Sequence, residues 1–238
     1  MKRITVVMAF MLACGRSPLL GHEILGPVQV NQSLKSIQQS QTTLRSNVSA
    51  GDKEEALFKI GAEAYALMKL INSEINEHGT ESDRGLIDLA VRRCKAMGVN
   101  IQLAAGKDYY TYDFEAFAAY LKLVPRGAHA PDARFALIEK SFYDSHHDQR
   151  TPQFLLKQIE QKKQLLQEFP NLSRRADLQM FLILDYLELH SDYLERKDLA
   201  KSTHYRDLAL ELCRQVMKNH PDSDAADFAR DLLLKFGL

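Results

Sequence analysis

Three prolines punctuate the second half of the chain in the same way. Pro125 opens "PRGAHAPDARFALI", Pro170 opens "PNLSRRADLQMFLIL" and Pro221 opens "PDSDAADFARDLLL". Each follows an amphipathic run and is followed by a small or cyclic residue joined to an acid: Pro131-Asp132, Ala176-Asp177, Ala226-Asp227. A proline forces the residue before it out of the α region, so it ends the preceding helix. The acid falls in the first turn of the next helix, where its charge complements the helix dipole. The prolines lie 45 and 51 residues apart, which leaves room for two helices and two turns. Self-similarity on that scale predicts stacked helical hairpins.

Composition agrees. Gly (11) and Pro (7) are sparse and Trp is absent in 238 residues, which favours helix over strand. No stretch shows sustained period-two alternation, so strands are not expected, and "NIQLAAGKDYYTYD" reads as a loop. Lys plus Arg and Asp plus Glu both total 31, so no global field draws the chain to nucleic acid.

Apolar spacing sets out the helices. Leu57, Ile60, Ala64, Leu67, Ile71 and Ile75 share one face of a long helix that stops near Gly79. Asp52 with Glu55 offers a capping box at its start. Ile87, Ala90, Val91, Cys94 and Met97 mark a second helix, from about Asp83 to a stop at Gly98. Later faces run through Phe117 and Leu121, then Phe135 and Ile138, then Leu155, Ile159 and Leu166. "MFLILDYLEL", Met180 to Leu189, is apolar nearly all round, with Asp185 and Glu188 its only charges. Such a helix is expected to be buried on more than one side, the alternative being a partner-binding face.

The N-terminus reads as targeting. Lys2 and Arg3 precede an unbroken apolar run from Ile4 to Ala13, too short to span a bilayer as a helix. It has the form of the apolar region of an export signal. Residues 1–14 are therefore expected to be an export signal ending at Cys14. Leu12-Ala13-Cys14 resembles the bacterial lipobox, which implies lipidation of Cys14 and a membrane anchor. Cleavage near Ala13 to Gly15 without lipidation, or an uncleaved anchor, are the alternatives. Residues 15–51 read as a polar tether or short helix, in which Val30, Leu34, Ile37, Gln41, Leu44 and Val48 keep a heptad-like step with Gln in one slot. Residues 52–238 are expected to form a helical repeat domain.

The junctions resemble those of tetratricopeptide repeats, in which the second helix of each unit ends at a proline. Ala209, Cys213 and Val216 before Pro221 match that family's small and aromatic positions, Phe117 matches before Pro125, and Leu165 precedes Pro170. The helix-A signature of Trp, Leu-Gly and Tyr is missing, and the period is longer than the family's. "EFPNLSRRADL" and "NHPDSDAADFA" are also similar to junctions in divergent repeat lipoproteins of the outer-membrane β-barrel assembly type. The resemblance covers residues 112–238. It implies an all-α, right-handed solenoid of about eight or nine antiparallel-paired helices. It further implies a non-enzymatic scaffold in the periplasm, anchored to the outer membrane, with envelope proteins or peptides as partners and no cofactor. A pilotin-like factor for a secretin or pilus, a peptide- or solute-binding lipoprotein, and a cell-wall hydrolase on a helical scaffold are the alternatives.

Candidate chemistry is thin. Asp144, His146, His147 and Asp148 are competent metal-ligand types, but adjacent histidines point apart and no partner His or Cys is identifiable. HExxH, GxSxG, P-loop, GxGxxG and CxxC patterns are absent. Tyr109, Tyr110, Tyr112 and Phe114 are a candidate partner-binding cluster, or else a wedge between hairpins. Cys94 and Cys213 lie in apolar helical patterns, as small buried hydrophobes or as a pair. The anchor is directly testable: Cys14→Ser is expected to move the protein from the membrane to the soluble fraction on cell fractionation, and unchanged membrane retention would sink it.

Overall fold

The computed structural model describes residues 25–79, 82–106, 108–144 and 150–235. Cys14 with the rest of the export segment, and His146, His147 and Asp148, lie outside the described residues. The described chain forms two compact units, one up to Asp144 and the other from Arg150 onward. Together they hold nine described helices and one small β-hairpin.

In the first unit, α1 (Pro27–Arg45) begins with Pro at its first turn, where the missing N–H costs nothing. Val30, Leu34 and Ile37 bury one stripe of α1, which packs against α2 (Ala50–His78). The capping box of α2 sits one turn earlier than the sequence predicts. Ser49 Oγ accepts from the Asp52 amide (3.2 Å) and the Asp52 carboxylate accepts from the Ser49 amide (3.2 Å). Serine at the cap with an acid at the third position satisfies two orphan donors at once, which leaves Glu55 free for His129 (3.0 Å). α3 (Arg84–Ala96) is capped by Asp83 and buries Ile87, Ala90 and Cys94, while Val91 and Met97 of the expected face are half-buried.

The loop expected at 100–113 is instead an antiparallel hairpin. β1 (Ile101–Leu103) pairs with β2 (Tyr110–Tyr112), with Ile101 opposite Tyr112 and Leu103 opposite Tyr110. Three residues per strand are too few to show a two-residue period, so no alternation betrayed it. The hairpin depends on a partner distant in sequence. The Asn72 side chain of α2 accepts from the Tyr110 amide (2.6 Å) and donates to the Tyr110 carbonyl (2.9 Å). That one amide satisfies both groups as a further strand would. The loop reading is corrected to that extent, and the rest of the described fold is helical. α4 (Glu115–Leu123) and α5 (Ala130–Asp144) complete the unit, α4 packing on both α2 and α5.

The second unit holds α6 (Pro152–Glu168), α7 (Arg175–Glu195), α8 (Leu199–Asn219) and α9 (Asp224–Lys235). Thr151 caps α6 by accepting from the Phe154 amide. α7 packs against α6, α8 and α9, and every residue from Leu178 to Tyr186 is buried. An apolar surface continuous around the helix has this origin: there is a neighbour on each side.

The three proline junctions share one local geometry. The helix-ending residues Val124, Phe169 and His220 have φ of −136°, −129° and −138°. Their carbonyls accept from the amides of Gly127, Leu172 and Ser223, each at 3.1 Å. Those three residues in turn accept from Ala130, Arg175 and Ala226, at 3.0, 3.1 and 2.8 Å. Asp132, Asp177 and Asp227 lie in the first turns of α5, α7 and α9, where the dipole favours them. Eight residues beyond each proline, Ala133, Leu178 and Ala229 are fully buried. Consecutive pairing of α1 with α2, α4 with α5, and α6 through α9 is consistent with a helical-solenoid arrangement.

Close helix packing rests on Gly61 of α2. A Cβ there would stand 2.9 Å from Phe117 of α4, closer than real contacts permit. Gly61→Val is expected to lower stability by about 1–3 kcal/mol through overpacking. Urea unfolding with an unchanged slope would measure it; a variant as stable as the parent would contradict this packing.

Candidate functional site

Counting back from each proline aligns the helices that precede them. Five residues before it stand Tyr120, Leu165 and Val216, and eight before it stand Phe117, Lys162 and Cys213. All six are buried. Lys162 therefore occupies an inward position where the other two junctions place an aromatic ring and a small apolar thiol.

The compensation comes from α7 and from the segment leading into α6. Lys162 Nζ lies 2.6 Å from Asp185 Oδ2, and Arg150 Nη2 lies 3.2 Å from Asp185 Oδ1 and 3.0 Å from Glu188 Oε2. The side chains of Asp185, Lys162 and Arg150 are 1%, 3% and 6% exposed, and Glu188 is 15% exposed. Two cations and two anions cancel. Glu188 lies three residues after Asp185, so the two carboxylates share a helix face and one guanidinium spans both. Burial pushes the Asp185 carboxyl above the ordinary carboxylate range and the Lys162 ammonium below the ordinary lysine range, against the attraction of their partners. An ammonium held this closely by a carboxylate is committed to that contact and is no free base or nucleophile.

Other polar contacts tie α7 to α8. Ser202 Oγ lies 2.8 Å from His190 Nδ1 and donates to the His190 carbonyl (3.1 Å). Ser202 is 2% exposed, so the pair clamps the hairpin rather than presenting a nucleophile. Tyr186, Tyr205 and Tyr193 stack in turn, with centroids 6.3 and 5.6 Å apart. Lys163 and Lys201 lie over the end members, at 5.8 and 5.0 Å from the ring centroids. The tyrosine stack and Lys201 zip α7 to α8, and Lys163 adds a contact from α6 to α7.

The tyrosine cluster singled out in the sequence lies in the first unit and is mostly core. Tyr110, Tyr112 and Phe114 are 9%, 2% and 2% exposed, and only Tyr109 is half-buried. Phe114 touches Tyr65 of α2, Tyr112 of β2 and Phe117 of α4. It adopts a left-handed conformation (φ 62°), unusual for a bulky residue, which turns the chain from hairpin to helix. A partner meeting this surface would reach Tyr109 but not the other three. The cluster wedges helix, hairpin and helix together.

Cys94 and Cys213 are both free and fully buried, and burial pushes each thiol up to about 12. Among the described residues no group of three or more His, Cys, Asp or Glu is placed to hold a metal ion. No described helix is long and apolar enough to cross a membrane.

Along the chain Asp185 and Glu188 stand as the only charges of an apolar stretch, and nothing local joins them to Arg150 and Lys162. The signal that completes the cluster is Lys162, eight residues before a junction proline. No family model, curated protein or solved structure matches the chain. Removing one member isolates its partner. Lys162→Met is expected to lower stability by about 3–5 kcal/mol, because Asp185 stays buried without its closest cation. Chemical denaturation measures this, and a loss under about 1 kcal/mol would contradict the coupling.

Proposed function

We propose that this chain is a protein–protein interaction scaffold of the bacterial cell envelope. In this reading it is a tetratricopeptide-like right-handed solenoid, exported, lipidated at Cys14 and held at the periplasmic face of the outer membrane. The observation that carries the proposal is the threefold recurrence of one junction geometry at Pro125, Pro170 and Pro221, with matching hydrogen bonds at matching positions. Repeats joined in this way serve as extended surfaces, which bind partners by area and curvature instead of by a reactive pocket. The burial of Cys94 and Cys213, and the buried, already engaged state of Lys162 and Ser202, support the non-enzymatic reading. The resemblance of the junction sequences to repeat lipoproteins of the β-barrel assembly type makes components of outer-membrane protein assembly the partners to look for.

Crosslinking in intact cells, followed by affinity capture of the tagged chain, tests the proposal. A component of the outer-membrane protein assembly machinery is expected among the crosslinked species. Capture that yields no envelope protein would overturn the scaffold assignment.

A further inference from the structure

We infer that the Arg150–Asp185–Lys162–Glu188 cluster is a pairing key, which makes α6 pack on α7 in one register. The inference does not depend on the scaffold proposal. It begins from a hazard of repeats: helices that share a junction geometry and an apolar face can exchange partners or slip. Before Pro125 and Pro221 the position eight residues back is Phe117 or Cys213, which any apolar face would accept. Before Pro170 it is Lys162, which an apolar face does not accept and which Asp185 receives at 2.6 Å.

The acid that receives it fixes one height on α7, where Asp185 is 1% exposed. One turn before Asp185 on α7 stand Phe181 and Leu182, both buried and apolar, so a slip of α6 in that direction would leave Lys162 against hydrocarbon. A slip in the other direction would carry Lys162 to Glu188 and leave Asp185, 1% exposed, without its closest cation. Arg150 adds a second point of reference. It lies outside α6, two residues before Pro152, and its guanidinium spans Asp185 and Glu188 at 3.2 and 3.0 Å. The start of α6 is thereby fixed at one level of α7 as its middle is fixed by Lys162. Where only one partner geometry leaves no buried charge unmatched, the charges select that geometry whether or not they add stability.

The test compares Lys162→Met with the paired replacement Lys162→Met/Asp185→Leu in the full chain, where Arg150 and Glu188 still balance each other. The single variant is expected to unfold at lower urea than the parent, and the double at the same urea concentration or higher. Hydrogen-exchange mass spectrometry of the double is expected to show two isotopic populations in peptides from 152–168 and 175–195, or light scattering a larger dimer fraction than in the parent. A double variant with one population and the parent's mass would overturn the inference, since pairing would be unique without the charges. A double variant as destabilised as the single, or unfolded, would overturn it equally, because the cluster would then be a source of stability.

Discussion

The organisation of the second half rests on what proline denies the backbone. At Val124, Phe169 and His220 the following ring excludes helical ψ, so the helix stops where its last inward side chain has been placed. The carbonyl left over accepts from an amide three residues on, and the next such bond starts a new helix at a constant offset. Because the offset is constant, inward positions on both sides of each junction are constant as well. Ala133, Leu178 and Ala229 are buried for the same reason as Tyr120, Leu165 and Val216.

Constant offsets create interchangeable faces, and the interior of α7 shows how the second unit departs from that. Nine consecutive buried residues surround it with three neighbouring helices. A helix of pure hydrocarbon there would be indifferent to rotation and slippage. Asp185 and Glu188 break the symmetry, at a desolvation cost that α6 and the segment before it offset through Lys162 and Arg150. The tyrosine ladder and the His190–Ser202 contact define the opposite face of the same helix in the same spirit, with directional contacts laid over non-directional burial.

The first unit solves its packing differently. It has no junction between α2 and α3, and it closes its core with aromatic rings around a three-residue hairpin. Asn72 holds that hairpin by its edge from 38 residues away, and Gly61 lets Phe117 press against α2. None of these elements has a local signature. Asn72 is a polar residue on a helix, Gly61 is a propensity penalty, and Tyr110 and Tyr112 read equally well as surface or core.

The order of the helices, the acids in the first turns after the prolines, the junction turns and most of the burial of "MFLILDYLEL" were written in the chain. They follow from backbone sterics and from the 3.6-residue period, both of which act over a few residues. What only the tertiary structure decided is which apolar faces meet and which polar groups they enclose. Lys162 became a buried ion, Tyr112 and Phe114 became core, and three residues after Asn100 became a strand, because a group far along the chain was there to receive each one. Desolvation and long-range hydrogen bonding depend on proximity in space, and a pattern read along the chain carries no record of it.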